Sequence, residues 1–268
     1  RDVLHQRDKH YGFINYITAL TANAVFFNSA YHQEIFLEEL PRLLKHFPDH
    51  QELGKVKEIA EKSRVMHLGL DLERLNSLVC SSSAEEDQSP PIILWNHRWE
   101  YDKNPGEFFL ALDILLAKGL DFRLVVLGEN FQRSPGEFHQ AQERLGNRIL
   151  HFGYVKSRNE YAEWLQRADI LPVTSHQDFF GISIVEAVYS GCKPLLPRRL
   201  SYPEIFPVEE CEDYYYSDFD DLVKKLEFMI RNISEIRRIN LRHLVEKFDW
   251  SSSAPVYDKI FQSLVIRD

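Results

Sequence analysis

An α/β fold built on parallel strands is what this 268-residue chain predicts. Three observations predict it. Between residues 92 and 200, short apolar runs alternate with helical patterns of about 10–15 residues, the rhythm of right-handed βαβ crossovers. A stretch at 76–91, with Ser81-Ser82-Ser83, Glu85-Glu86-Asp87 and Pro90-Pro91, is polar and turn-rich and reads as an interdomain linker. Ahead of it lie one or two further α/β units, too few for a doubly wound sheet of their own. The length, with 44% hydrophobic residues, suits one large or two modest domains with a sizeable core.

In chain order, residues 11–23 carry Phe13, Ile14, Ile17 and Leu20 at helical intervals. Residues 24–28 form a short buried strand, and Ser29 is placed to cap a helix through Leu40. A polar stretch follows, then a strand at 64–68 closed by Gly69. Beyond the linker the strands are 92–95, 122–127, 148–152, 170–173 and 194–196. The intervening helices are 106–118 (ending at Gly119, a suitable C′ residue), 135–145, 158–168 and 183–190. Three more helices are expected at 218–231, 234–247 and 251–265, the last from a Ser-rich cap. Residues 92–200 thus read as a Rossmann-like domain. Ligands belong at the carboxyl ends of its strands, in the loops near 96–105, 128–134, 153–157 and 174–182.

Composition narrows the function classes. With 32 Lys+Arg against 41 Asp+Glu, the net charge is −9 with His neutral. That sign argues against a general DNA or RNA coat, while leaving room for a local basic patch. The three cysteines (Cys80, Cys192, Cys211) are scattered, and the eleven histidines show no zinc spacing. A disulfide framework and a structural zinc are therefore not expected. No run approaches 18 apolar residues and no signal peptide opens the chain, so a cytoplasmic location is the expectation. The chain starts at Arg1 and not Met, and is expected to be a fragment of a longer protein.

The loop after the strand at 92–95 reads Asn96-His97-Arg98-Trp99-Glu100-Tyr101-Asp102-Lys103-Asn104-Pro105. Arg98 and Lys103 straddle a turn that feeds a helix N-terminus. A guanidinium fork, an ammonium and a positive helix end together suit a diphosphate. The alternative is two surface cations paired with Glu100 and Asp102. After the strand at 170–173, Asp178 precedes Phe179-Phe180-Gly181 and Glu186 lies one turn inside the following helix. With 41 acidic residues, about six acidic pairs at this separation arise by chance, so placement is what counts. Gly181 lets backbone approach a ligand, and the first N–H groups of the helix can bind an anion or a sugar hydroxyl. Glu186 suits a sugar diol, since a carboxylate accepts two hydroxyl donors; the alternative is a nearby base in the core. Gly153-Tyr154-Val155-Lys156 is placed to hold a nucleobase through backbone groups, and Gly128-Glu129-Asn130 to line the same cleft. Each is equally an ordinary strand-to-helix turn.

Taken in order, these segments resemble the retaining, family-four glycosyltransferases of the GT-B fold. Arg64-Val65-Met66-His67-Leu68-Gly69-Leu70-Asp71 looks like the segment that closes the family's first domain, and residues 96–103 like its Arg-x4-Lys phosphate clamp. Leu127-Gly128-Glu129, Phe152-Gly153-Tyr154 and Ala168-Asp169-Ile170 fall at its sheet landmarks. Asp178 to Glu186, running on to Pro194, looks like its acidic-pair motif. The resemblance implies that Arg98 and Lys103 neutralise the diphosphate leaving group, that Glu186 binds the ribose, and that Asp178 binds a hydroxyl of the transferred sugar. Phe180, Gly181 and Ile182 would offer backbone N–H groups, and no metal would be required. The family usually has Glu where Asp178 stands, which shortens the reach by one methylene and keeps the chemistry.

A narrower resemblance is to the tRNA-queuosine α-mannosyltransferase group. It is carried by residues 95–103, Phe179-Phe180-Gly181, residues 186–192, Tyr202-Pro203-Glu204-Ile205-Phe206-Pro207, Phe26-Phe27-Asn28-Ser29 and Phe47-Pro48-Asp49-His50. That group implies GDP-mannose as donor and queuosine in tRNA as acceptor. The implied organisation is α/β of GT-B type: the C-terminal part of an acceptor-side Rossmann-like domain (1–75), a linker (76–91), a complete nucleotide-sugar donor domain (92–250), and a C-terminal helix (251–268) packing back on the first domain. The family's Gly-rich acceptor loop and His-Glu-Asn segment lie ahead of the position matching Arg1, so their active-site histidine is assigned to no residue here; His5, His10 and His32 are unsuited by context. Two alternatives stand beside this reading: a non-catalytic nucleotide-sugar-binding fragment, or a family-four enzyme with another donor and a glycan or lipid acceptor.

Overall fold

The computed structural model describes residues 9–49, 51–77, 89–129 and 136–265. The central part of the linker, with Cys80, and His5, His50, Asn130 and Pro135 lie outside them. The chain divides into two compact units, Arg1–Leu68 and Gly69–Asp268.

In the first unit, α1 (Lys9–Thr21), β1 (Val25–Phe27), α2 (Ala30–Leu44), α3 (Lys55–Glu61) and β2 (Ser63–Val65) follow one another. β1 and β2 pair in parallel, Val25 beside Ser63 and Phe27 beside Val65. Ser29 caps α2 as expected, its hydroxyl accepting from the His32 N–H at 3.0 Å. α2 runs past its expected end at Leu40 and through Pro41. Burial of both Leu40 and Leu44 in the core formed with Tyr16, Ala19 and Ile59 outweighs the backbone bond that proline forgoes. α3 falls in what the sequence presents as a polar stretch. A Lys55–Glu58 pair at 2.8 Å lies on its outer side, and Ile59 alone of its residues is buried.

The second unit holds α4 (Glu73–Ser77), β3 (Ile92–Asn96), α5 (Pro105–Ala117), β4 (Arg123–Leu127), α6 (Glu137–Leu145), β5 (Ile149–Gly153), α7 (Arg158–Arg167), β6 (Ile170–Pro172), α8 (Ile182–Tyr189) and β7 (Lys193–Pro197). It continues with α9 (Tyr202–Ile205), α10 (Val208–Cys211), β8 (Tyr215–Tyr216), α11 (Phe219–Arg231), α12 (Ile233–Arg238) and α13 (Trp250–Val265). Its six strands are all parallel, in the order β5-β4-β3-β6-β7-β8. This is the doubly wound Rossmann arrangement, with its reversal between β3 and β6. Ile93, Leu94, Trp95, Leu124, Val125, Val126, Ile170, Leu171, Leu195 and Leu196 are all fully buried. Strands covered on both faces need continuous apolar runs, which is why these segments read so plainly in the sequence. Trp95 meets Phe108 at 4.9 Å and Phe138 at 5.6 Å, tying β3 to α5 and α6.

Further departures from expectation lie in the second unit. Residues 234–247 are not one helix: α12 stops at Arg238, and two 3-10 turns (Arg242–Leu244, Glu246–Phe248) follow. Asn240 breaks the run, its side-chain oxygen accepting from the Arg242 N–H at 2.9 Å. β8 is a sixth strand of two tyrosines, too short to show a period; Tyr216 donates to the Val173 carbonyl at 2.8 Å. The start of α13 is set by Asp249 and not by the serines. Its carboxylate accepts from the N–H groups of Ser251 (2.8 Å), Leu72 and Glu73 (both 2.9 Å). Residues 69–75 are thereby fastened to the end of the second unit, and the division between units falls after Leu68.

Candidate functional site

The loops that leave β3 and β6 diverge at the switch point, where open α/β sheets form a crevice. Here they are stitched together. Thr174 Oγ1 donates to the carbonyls of Lys103 (2.8 Å) and Asn104 (3.0 Å), and the His176 N–H to the Asp102 carbonyl at 2.8 Å. Lys103 Nζ donates to the Gln177 carbonyl at 2.5 Å, and Arg199 to the carbonyls of Ser175 and Thr174 at 3.1 Å. The 3-10 turn Tyr101–Lys103 passes into α5 through Asn104, whose φ of 53° is left-handed, followed by Pro105 at the first helical position.

Arg98 and Lys103 sit in different surroundings. The Arg98 side chain is 59% exposed and lies 3.4 Å from Glu100. Lys103 is buried, its ammonium 3.4 Å from Asp102 and 3.8 Å from Asp178. Both pairings named in the alternative reading of these cations are present; the burial of Lys103 is not what a surface pair has. Asp178 also takes the Phe180 N–H at 3.3 Å and the buried Tyr202 hydroxyl at 3.4 Å. Burial, and then the Asp178 charge, push the Tyr202 phenol well above its ordinary value, so it serves as a fixed donor.

Gly181, at φ +88°, opens α8, and its carbonyl accepts from Ile184 and Val185 at 3.0 Å. The N–H groups of Ile182 and Ser183 therefore head the helix at its positive end. Phe180 is buried edge-on against Phe248, and its N–H is engaged by Asp178. Glu186 is 7% exposed. Its Oε1 accepts from Arg158 at 2.9 Å and its Oε2 from the Tyr161 hydroxyl at 2.7 Å. A base does pair with Glu186, as the alternative reading has it, but from a half-exposed side chain at the surface of α7. Asn96 links the two loops, its Nδ2 donating at 3.0 Å to the Tyr161 oxygen and to the Ser183 carbonyl.

Gly128 ends β4 at φ +119°, and a Cβ there would lie 2.0 Å from the His97 carbonyl oxygen. Its role in the fold is to let the β3 loop close over the end of β4, where Trp99 donates to the carbonyls of Glu129 and Leu127 at 3.2 Å. Gly153 ends the edge strand β5 at φ +130° with open space around it, and Tyr154 beyond it is exposed. The switch point thus gathers Arg98, Lys103, Asp178, Gly181, Ile182 and Glu186. Gly128 is one strand away and Gly153-Tyr154 two.

The sequence assigns no role to five residues at the site: Asn96, His97, Arg158, Tyr161 and Tyr202. Arg158 and Tyr161 are three apart on α7, and only the tertiary fold shows that both face Glu186. His97 is buried, its Nδ1 3.3 Å from Ser183 Oγ. Burial, reinforced by the Lys103 charge, pushes its imidazole down to about 3, so the ring is neutral. Among the described residues no group of three or more His, Cys, Asp or Glu is placed to hold a metal ion.

With this geometry in hand, the family model of the glycosyl transferases group 1 matches residues 81–239, more than half of the chain. The chain belongs to the group 1 glycosyl transferases. A second family model, tRNA-queuosine alpha-mannosyltransferase N-terminal, matches residues 2–70 of this glycosyl transferase. It is 35% identical over 225 residues to a tRNA-queuosine alpha-mannosyltransferase of Drosophila melanogaster, over 82% of this chain and 58% of that protein. It therefore spans a little over half the length of that relative. Among solved structures it resembles the sucrose-phosphate synthase of Thermosynechococcus elongatus, with a TM-score of 0.71 at 18% identity over 98% of this chain and 63% of that one. It also resembles Anabaena HepE in complex with UDP, with a TM-score of 0.63 at 16% identity over 96% of this chain and 77% of that one. The α/β fold with parallel sheets is that of the GT-B glycosyltransferases. No helix among the described residues is long and apolar enough to cross a membrane.

Proposed function

We propose that the second unit binds a nucleotide-diphosphate sugar in the β3/β6 crevice, and that the whole protein transfers its hexose with retention of configuration. The transferred hexose is mannose and the acceptor is queuosine in tRNA, in line with the similarity to the Drosophila tRNA-queuosine alpha-mannosyltransferase, and the donor is GDP-mannose, as the family resemblance implies. The observation that carries the reading is the meeting of Lys103, Asp178 and the start of α8 at one switch point, with Arg98 exposed on the same β3 loop.

In this reading the exposed Arg98 turns from Glu100 to the incoming diphosphate, and the buried Lys103 meets it from the loop floor. Both neutralise the charge that grows on the phosphate as the glycosidic bond breaks. The leaving phosphate oxygen takes the proton of the acceptor hydroxyl on the same face of the sugar, so the new bond keeps the old configuration. Cationic side chains carry the neutralisation, and the donor needs no metal. Glu186 has lone pairs left beyond those used by Arg158 and Tyr161, and accepts the ribose hydroxyls. Asp178 accepts a sugar hydroxyl, and Ile182 with Gly181 presents backbone to sugar and phosphate. Gly128, Gly153 and Tyr154 flank the base. With a net charge of −9, the tRNA docks on a local patch in the cytoplasm and not over the whole surface.

Calorimetry with GDP, GDP-mannose and UDP-glucose tests this on the chain, and transfer to queuosine-containing tRNA tests it on the whole protein. Binding of GDP and GDP-mannose ahead of UDP-glucose, with transfer by the whole protein, is expected. Absence of all nucleotide binding overturns the reading. Binding without transfer by the whole protein favours a nucleotide-sugar-binding role.

A further inference from the structure

His97 is the residue of the crevice for which the roles above find no use. Its ring is buried beneath Trp95, edge-to-face at 5.4 Å, and its Nε2 meets no hydrogen-bond partner among the described residues. Its other nitrogen, Nδ1, reaches the Ser183 hydroxyl at 3.3 Å. Ser183 is the second residue of α8 and is partly exposed. Its carbonyl is already held by Asn96, so the last residue of β3 and the one after it fix Ser183 at both ends.

A neutral imidazole has one donor nitrogen and one acceptor nitrogen, which leaves two arrangements. With the proton on Nε2, a buried N–H is orphaned and the Ser183 hydrogen is spent on Nδ1. With the proton on Nδ1, that N–H donates to Ser183 Oγ, and the serine keeps its own hydrogen for something else. The second arrangement leaves only a bare lone pair on Nε2, beside the Lys103 charge, and avoids an orphaned donor.

We propose that His97 is a positioning residue that holds the Ser183 hydroxyl as a hydrogen-bond donor to a diphosphate oxygen at the start of α8. The inference rests on the donor-site reading above. In this arrangement Ser183 adds a side-chain donor to the N–H groups of Ile182 and Ser183, at the helix end where an anion is already favoured.

GDP titrations of the full chain, with UDP in parallel, test it with Ser183→Ala, His97→Leu, their double substitution and His97→Asn. Asparagine can return an N–H to the place of Nδ1. Ser183→Ala and His97→Leu should each weaken nucleotide binding on the order of tenfold, the loss of one hydrogen bond to a charged group. The double variant should be no weaker than either single one, and His97→Asn should recover most of the loss. The unfolding midpoint of His97→Leu should not fall below that of the wild type, because leucine replaces a half-satisfied polar ring. Additive losses, or no rescue by asparagine, overturn the coupling. Unchanged binding in Ser183→Ala overturns the serine's role while leaving the donor site standing. Failure of the wild type to bind either nucleotide overturns the donor site and this inference together.

Discussion

Lys103 and Asp178 face each other across the switch point, Nζ 3.8 Å from Oδ2, with one on the loop after β3 and the other on the loop after β6. The pair crosses the line where the strand order reverses, and it sets a buried ammonium where a diphosphate is expected. Asp102 lies 3.4 Å from the same ammonium, so one cation is shared between two carboxylates. Lys103→Ala should therefore act twice, removing the phosphate contact and leaving two carboxylates without their cation. Transfer by the whole protein should fall by about two orders of magnitude or more, with a lowered unfolding midpoint.

Arg98→Ala separates chemistry from stability. Its exposed pair with Glu100 is worth about 0–1 kcal/mol, so the unfolding midpoint should hardly move. Transfer should still fall by about two orders of magnitude. Near-normal turnover in both Arg98→Ala and Lys103→Ala would remove the diphosphate clamp from the account.

Glu186 is oriented by Arg158 and Tyr161, and its variants should grade accordingly. Glu186→Ala should abolish measurable donor binding. Tyr161→Phe removes one hydrogen bond and should weaken binding about five- to tenfold while leaving the carboxylate in place. Equal donor affinity in the wild type and Glu186→Ala would contradict the ribose assignment.

Gly128→Ala places a Cβ 2.0 Å from a backbone oxygen, which no rotamer change can relieve, at a φ of +119°. A loss of about 3 kcal/mol or more in chemical denaturation is expected. Gly153→Ala, also at positive φ but with open space around it, should cost about 1–2 kcal/mol. The reverse ranking would show that the β3 loop does not close on β4 as described.

Much of this was legible in the sequence. The doubly wound second unit followed from apolar runs spaced by helical patterns, because strands buried on both faces leave that trace. The placement of Arg98, Lys103, Asp178 and Glu186 on the β3 and β6 loops and α8 followed from topology. What the sequence hid is tertiary. The partners of the buried Glu186 sit on another helix, 25 and 28 residues away in the chain. Asp249 caps α13 while binding backbone at Leu72 and Glu73, an interaction with no local pattern. α3 leaves no trace in the sequence because a short helix with one buried side chain has too little period to see.

Two buried groups give the acid limb of stability a definite sign. The folded His97 imidazole titrates near 3 against an ordinary 6.5, so between these values the unfolded chain binds a proton that the folded chain does not. That stability is fully present above pH 6.5 and is lost as the pH falls toward 3, by up to about 1.4 kcal/mol per pH unit. Asp249 is opposed by burial, but hydrogen bonds from Ser251, Glu73 and Leu72 prevail and hold its carboxyl below its ordinary 3.8. Its contribution is present above that value and is lost as the pH falls through the lower folded one. Urea midpoints from pH 4 to 8 should decline toward acid in the wild type and decline less in His97→Leu. Asp249→Asn should follow the wild-type slope over this range from a lower starting stability. Parallel curves for the wild type and His97→Leu would contradict a buried neutral imidazole.

The most direct test of the central claim is a crystal structure of the chain with GDP-mannose. The account predicts the diphosphate at the start of α8 within hydrogen-bonding distance of Arg98 and Lys103, with the ribose on Glu186. A nucleotide bound at the opposite, amino-terminal end of the sheet, or one leaving Arg98, Lys103 and Glu186 untouched, would contradict it.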